Sequence, residues 1–294
     1  MTHRQILLAL IVPTTWGLGF ALAKVGMDTF PPFFLMSIRF GLAALVLVWF
    51  TKAPFGFMRK IFLIALVSAT IQYGFTFYGL KGIDASTAII IVQLESPFLA
   101  LLAALFLKDK LGWKRATGMI LAFSGVSLIA GEPRLEGNLI YVSLVATGAM
   151  IWAIGQVMVR QLSEVTGFTL VAWVAVFASP QMLIASLLIE TNHWNIIINS
   201  SWTDWIILLY LGIIMTALAY SIWYQLLASC SLMMLAPFLL LTPVTTILFG
   251  TILLDEIFTK TMAIGSIMVI GGVAATTMEK NKKDEPVDKV SLRN

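Results

Sequence analysis

The chain contains the stretch YGLKGIDASTAIIIVQLESPFLALLAALFLKDK (Tyr78–Lys110), and its pattern returns 146 residues later as YQLLASCSLMMLAPFLLLTPVTTILFGTILLDE (Tyr224–Glu256). The offset aligns Tyr78 with Tyr224, Leu80 with Leu226, Leu94 with Leu240, Pro97 with Pro243, and Asp109 with Asp255. Unrelated apolar segments would not keep tyrosines, prolines and aspartates in the same order. The two stretches therefore indicate an internal repeat.

The similarity continues on both sides of this stretch. After one inserted residue, Gly118 and Gly125 pair with Gly265 and Gly272, and Trp16, Gly19 and Lys24 pair with Trp152, Gly155 and Arg160. The chain thus consists of two related halves. We assign residues 1–130 to the first half, 131–138 to a polar linker, 139–279 to the second half, and 280–294 to a charged tail that we predict to be disordered.

Composition places both halves in a membrane. Hydrophobic residues make up 59% of the 294 residues and charged residues only 12%, whereas soluble domains are about 25% charged. A helix of about 20 apolar residues spans a bilayer, and hydrocarbon requires helices because it satisfies no backbone group. Ten runs qualify: residues 6–23, 32–50, 61–80, 85–107, 116–130, 139–159, 168–189, 205–228, 232–254 and 262–278. We predict an all-α integral membrane protein with ten transmembrane helices.

Each half then holds five spans, so the second half is inverted relative to the first. If the N-terminus is cytoplasmic, 14 Lys and Arg residues lie on the cytoplasmic side and four on the other. This asymmetry predicts that both termini are cytoplasmic. The N-terminal segment has no small-residue cleavage site, which favours a retained first span over a signal peptide. We expect a multi-pass protein of the inner (plasma) membrane.

Several other classes of protein lack support in the sequence. Cys230 is the single cysteine, and His3 and His193 lie outside the apolar runs, so no disulfide, metal site or cofactor is predicted. No phosphate-binding motif is present, because the glycines of the last helix in each half follow no strand. The basic residues form no patch, which argues against a nucleic-acid partner.

Four stretches of the sequence are typical of one known family: Thr14–Gly26, Pro31–Leu47, Ser96–Val126 and Thr242–Val273. In these stretches the sequence resembles the EamA-type members of the drug/metabolite transporter superfamily. The resemblance implies ten helices, cytoplasmic termini, and a central cavity lined mainly by the first, third and fourth helices of each half. That family usually has a glutamate after the fourth helix of each half. The second half keeps Glu256, but the first half has Lys110, so Asp255 and Glu256 are interpreted as interfacial helix-end charges.

Two ionisable residues, Arg39 and Glu95, lie well inside predicted spans, and their depths would allow an ion pair. An unpaired charge at mid-bilayer costs about 2.5–3.5 kcal/mol or more, so both should face the interior. The resembling family has an arginine at the position of Arg39 whatever the substrate, which favours a structural role over substrate contact. Glu95 pairs with the uncharged Leu241 of the repeat, so it is a candidate for binding substrate or a coupling proton.

Other polar and aromatic residues within the spans are candidates for lining a substrate cavity, with core packing or lipid contact as the alternative. Pro97 and Pro243 occupy matching positions and predict a hinge or cavity wall, with a simple packing kink as the alternative. No catalytic residue is predicted. The remaining cavity candidates are Trp16, Gln72, Tyr73, Tyr78, Gln93, Trp152, Gln156, Tyr220 and Tyr224.

Inverted repeats with polar groups at mid-membrane are typical of secondary transporters. We predict an exporter of amino acids or related small metabolites that works by alternating access in the lipid bilayer, with protons as a candidate coupling ion. An uptake permease for nucleotide-like, sugar-like or methyl-donor solutes is the alternative. A membrane-embedded enzyme or a scaffold is disfavoured, and the sequence leaves a monomer and a homodimer open.

Overall fold

The fold was analysed in a computed structural model, which describes residues 1–106, 112–132, 135, 137–162, 164–230 and 232–277. Lys110, the predicted tail (280–294), and the linker residues Pro133, Arg134 and Glu136 lie outside the described residues. Within the described ranges every regular element is helical, which confirms the prediction of an all-α protein.

The helices follow one another with short connections. In the first half they are α1 (His3–Thr29), α2 (Pro32–Leu47), α3 (Met58–Ala65), α4 (Gln72–Gly82), α5 (Ala85–Val92), α6 (Glu95–Phe106) and α7 (Trp113–Ala130). In the second half they are α8 (Leu139–Arg160), α9 (Gly167–Ile189), α10 (His193–Asn199), α11 (Trp202–Leu209), α12 (Ala219–Ser229), α13 (Leu232–Leu239), α14 (Leu241–Leu253) and α15 (Lys260–Thr277).

Alone or joined to the next element, several of these helices are long and apolar enough to cross a bilayer. Among the described residues seven segments qualify: His3–Thr29, Pro32–Phe50, Phe55–Gly82, Ala85–Leu102, Leu139–Arg160, Gly167–Ile189 and Trp202–Ser229. Pro237–Leu253 and Lys260–Thr276 are shorter apolar helices. The chain is therefore an all-α membrane protein, and the count of ten spans stays a prediction.

The predicted spans around Pro97 and Pro243 are each broken into two helices. A proline removes one backbone hydrogen bond and its ring clashes with the carbonyl four residues earlier. The helix accordingly ends at Val92, and the amides of Gln93 and Leu94 donate to carbonyls only three residues back. The second copy breaks at Leu240, the repeat counterpart of Leu94. Each proline thus sits in the first turn of a new helix.

The third predicted span of each half contains a π-helical segment. Leu66–Ile71 joins α3 to α4, and Tyr210–Leu218 joins α11 to α12. Shifted by the repeat offset, the first segment falls inside the second. Such segments loosen the regular hydrogen-bond ladder and are frequent at functional sites. The two halves therefore share a π-helical backbone irregularity that was not predicted from their sequences.

Glycines let the last helix of each half, α7 and α15, approach closely and antiparallel. A Cβ added at Gly118 would lie 2.7 Å from the carbonyl of Gly272, and one at Gly125 would lie 2.7 Å from that of Gly265. The repeat exchanges these two contacts, because it pairs Gly118 with Gly265 and Gly125 with Gly272. A two-fold axis in the membrane plane would produce this arrangement, which supports the inverted repeat.

Candidate functional site

A cavity of about 130 Å³ lies inside the bundle, between helices of the two halves. Its walls come from α2, α3, α4, α8, α9 and α12 and from the two π segments. Six of the cavity candidates from the sequence line it. The lining residues are Arg39, Phe40, Ile64, Ser68, Ala69, Tyr73, Trp152, Gln156, Val159, Leu170, Val171, Val174, Thr216, Tyr220 and Tyr224.

Arg39, on α2, is the charged residue of this lining and is 2% exposed. Its Nε donates to Thr216 Oγ1 at 2.9 Å, and its Nη1 lies 3.7 Å from Met36 Sδ. The rings of Phe40 and Tyr73 lie 5.5 and 5.2 Å from its Cζ, within range of a cation–π interaction. These contacts hold the guanidinium at the cavity wall.

The π segments supply hydroxyl groups to the cavity. Thr216 Oγ1 donates to the carbonyl of Leu211, five residues earlier, at 2.8 Å. With that donor committed, the oxygen accepts the hydrogen bond from Arg39. Ser68, in the other π segment, donates to the carbonyl of Ile64 at 2.7 Å and also lines the cavity. The irregular backbone therefore contributes the small polar groups of this wall.

The rest of the lining is mainly aromatic and aliphatic. Trp152 and Gln156 are separated by one turn of α8, and Tyr220 and Tyr224 by one turn of α12. All four side chains are half-buried. A flat, apolar surface with a few amide and hydroxyl groups suits an amphipathic organic molecule better than a bare ion.

Five of the cavity candidates do not contribute to this lining. Trp16 packs on the rings of Tyr220 and Trp223, at 5.2 and 6.0 Å, and its Nε1 donates to the carbonyl of Met215 at 3.2 Å. Gln72 is buried and donates to Thr76 Oγ1 at 3.0 Å. Both therefore pack between helices, one step behind the cavity wall.

Gln93 and Glu95 flank the break in the fourth span of the first half. Glu95 is the first residue of α6, where the helix macrodipole favours a negative charge. Glu95 is half-buried, and no hydrogen bond from the described part of the chain reaches its carboxylate. It forms no ion pair with Arg39.

The remaining candidate, Tyr78, belongs to a hydrogen-bonded cluster near the ends of α2, α4 and α9. The buried carboxylate of Glu190 accepts hydrogen bonds from the Tyr78 hydroxyl at 2.9 Å and from Ser186 Oγ at 2.7 Å. It also accepts from the backbone amides of Phe33 and Phe34, at 2.9 and 3.0 Å. We call Tyr78, Ser186 and Glu190, with the amides of Phe33 and Phe34, the Glu190 cluster. It joins three helices at one end of the bundle.

Two more charged side chains fasten loops at this end. Lys24 Nζ donates to the carbonyls of Leu80, Lys81 and Ile83, at 2.7, 2.9 and 3.0 Å. Glu256 accepts from the backbone amides of Ala85 and Ser86, at 2.5 and 2.9 Å. Glu256 thus caps the N-terminus of α5, a helix-end role in keeping with the interpretation drawn from the sequence.

The lining differs from the one implied by the family resemblance. The second helices of the halves, α2 and α9, contribute to it, whereas α1, α5, α6, α13 and α14 supply none of its described residues. On the side of α1, the indole of Trp16 fills the space against α12. Sequence reasoning also missed Phe40, Ser68 and Thr216. The hydroxyl residues inside otherwise apolar runs were the available signal for the last two.

Among the described residues, no group of three or more His, Cys, Asp or Glu side chains could hold a metal ion. The cavity lining combines one cation, aromatic rings and a few hydroxyl and amide groups.

Comparison with known proteins supplies the class to which this bundle belongs. The model of the EamA-like transporter family matches residues 3–131 and again residues 139–278. The chain belongs to the EamA-like transporter family. The resemblance drawn from the sequence is thereby confirmed, and the family name indicates a transporter rather than an enzyme.

Relatives of this EamA-family transporter extend over almost its whole length. A "Probable amino-acid metabolite efflux pump" of Salmonella typhimurium is 30% identical over 283 residues, covering 93% of this chain and 94% of the relative. The protein with the same description in Escherichia coli strain K12 is 28% identical, with the same coverage. An "Uncharacterized transporter" of Archaeoglobus fulgidus is 28% identical over 278 residues.

The fold of this family member also matches a crystal structure. The TM-score is 0.66, at 17% sequence identity, and the match covers 95% of this chain and 98% of the other. At this sequence identity the match supports a shared fold only.

Proposed function

We propose that this protein is a secondary transporter that exports amino acids or related small metabolites from the cytoplasm across the inner membrane by alternating access. The small amphipathic cavity carries the proposal. At about 130 Å³ it compares with an engineered cavity of about 150 Å³ that binds benzene, and drug-sized pockets are larger, at about 300–1,000 Å³. An amino acid matches this size better than a nucleotide does.

The position of the cavity along the bundle supports export. Its lining runs from Arg39 to Val159, Leu170 and Tyr224, near the end that the basic residues assign to the cytoplasm. At the other end the Glu190 cluster ties α2, α4 and α9 together. A solute would therefore load from the cytoplasm. Two relatives are described as probable amino-acid metabolite efflux pumps, which agrees with this direction.

Transport in membrane vesicles of defined orientation tests the proposal. Inside-out vesicles containing the protein should take up labelled amino acids without ATP, and a pH gradient should change the rate if protons are the coupling ion. Vesicles without the protein are the control. Uptake confined to right-side-out vesicles would identify an uptake permease instead. Absence of transport together with stoichiometric co-purification of a partner protein would indicate a scaffold.

A further inference from the structure

The guanidinium of Arg39 lacks a counter-charge. It is 2% exposed, and in the part of the chain that the structure describes no carboxylate pairs with it. Its partners are a hydroxyl group, a thioether and two aromatic rings, all uncharged. A charge buried within a membrane protein is expensive unless an opposite charge compensates it. Some anion from outside this set is therefore expected at Arg39.

The contacts of Arg39 leave part of its hydrogen-bonding capacity unused. Arginine carries five N–H donors in a planar fork. Nε is satisfied by Thr216 at 2.9 Å, whereas Nη1 has only the weak sulfur acceptor of Met36 at 3.7 Å. Phe40 and Tyr73 restrict the guanidinium plane. A fork fixed in this way is suited to two parallel hydrogen bonds with a carboxylate.

The scaffold itself does not require this charge. The matching helix of the second half, α9, contains no charged residue between Gly167 and Ile189, yet it packs against α2 in the same bundle. An arginine found at this position whatever the substrate favours a structural role, but a cation needed only for packing would be expected in α9 as well, and α9 has none. The cation occurs only in the half of the repeat that presents it to the cavity, which indicates that it contacts the ligand.

The geometry points to Arg39 as the residue that binds the carboxylate of the transported solute. This inference rests on the proposed function and adds the substrate class, a small carboxylate with an apolar body. Trp152, Tyr220 and Tyr224 would contact that body, and Ser68 and Gln156 offer polar contacts beside it. A hydrophobic amino acid has this composition. A neutral or purely cationic solute would leave Arg39 uncompensated.

Paired ligands test the inference with the wild-type protein. L-leucine, L-phenylalanine and isovalerate are compared with their amides for thermal stabilisation of the purified full-length protein and for transport in vesicles. The acids should bind about 30-fold more tightly than the amides, or more, because the amides cannot form a charged pair with Arg39. Equal binding of acids and amides, or no stabilisation by any of the three acids, would overturn the assignment.

Substitutions of Arg39 test whether this residue causes the preference for acids over amides. In Arg39→Gln the preference for acid over amide should fall to about onefold, while Arg39→Lys should keep part of it because an ammonium group cannot form the two-bond fork. Arg59→Gln, which removes a positive charge from an exposed position, should keep the full preference. A full preference retained in a folded Arg39→Gln protein would contradict the inference.

Failure of the inference can be told apart from failure of the proposed function. Transport of amides and acids at equal rates would leave export standing and remove the role of Arg39. Carboxylate binding that depends on Arg39, without transport of any solute, would leave the binding site standing and remove the export function.

Discussion

At the scale of single residues, the two halves differ most at their charges. Glu95 begins α6, and its repeat counterpart Leu241 begins α14, so the same break in a helix carries a carboxylate in one copy only. The carboxylate has no hydrogen-bond partner among the described residues. Glu95 lies outside the cavity lining, so it stays a candidate for a coupling proton or for contact with the solute in another state of the transport cycle. We regard Glu95, with Arg39, as the source of specificity on a shared scaffold.

Replacement of Glu95 tests this role. Glu95→Gln should reduce transport driven by a gradient about tenfold or more, because the amide carries no charge and takes up no proton at neutral pH. Glu164→Gln, at an exposed loop position, is the matched control and should transport normally. Exchange of labelled for unlabelled solute separates the two roles. Retained exchange indicates a proton site and lost exchange indicates solute contact, whereas unchanged net transport would refute both.

At the scale of helices, packing between α7 and α15 depends on neighbouring glycines with different surroundings. A Cβ at Gly272 would lie 2.4 Å from the carbonyl of Gly118 and 2.7 Å from the amide of Ala122, and both are backbone atoms. A Cβ at Gly271 would meet only Leu121 Cδ2, at 3.9 Å. The two residues are glycines of the same helix, so substitutions at them change helix propensity equally. A difference between the two variants therefore measures helix packing.

Alanine at these two positions should have different effects on stability. Gly272→Ala should destabilise the protein by about 1–3 kcal/mol, because the methyl group forces the helices apart. Gly271→Ala should be neutral or slightly stabilising, because alanine is the better helix former. Thermal unfolding of the two purified variants in detergent, followed by circular dichroism, measures the difference. Equal melting temperatures would contradict the close approach of α7 and α15.

At the scale of the whole molecule, the repeat places equivalent tyrosines in different surroundings. Tyr78 donates to Glu190 and helps join α2, α4 and α9, while its counterpart Tyr224 lines the cavity. In a transporter with alternating access, related structures at the two ends exchange closed and open arrangements. The Glu190 cluster would then hold one end closed and would have to open before the solute leaves.

Labelling from the outside tests this closure. In a Cys230→Ser background, which removes the single cysteine, Ser68→Cys places a thiol on the cavity wall. A membrane-impermeant maleimide should label it slowly from the outside, and Tyr78→Phe should raise the rate several-fold because a bond holding the closed end is lost. Tyr224→Phe is the matched control and should not raise it. No change in Tyr78→Phe would rule out the cluster as a gate.

The sequence by itself determined the class of protein and the relation between its halves. Hydrocarbon leaves backbone groups no partner outside the chain, so apolar runs of sufficient length specify helices. Matched tyrosines, prolines and glycines then revealed the repeat, and the break at Gln93–Leu94 follows from the local chemistry of Pro97. These features depend on neighbours along the chain, which a sequence displays directly.

Only the tertiary structure decided which polar groups meet. It brought Arg39 to Thr216, left Arg39 and Glu95 without an ion pair between them, and gave Tyr78 a partner in Glu190. These contacts link residues more than a hundred positions apart, and their geometry depends on helix rotation and on the π segments. An apolar run of the right length fixes that a helix forms, but not which of its faces meets another helix, because lipid and protein interior are similarly apolar.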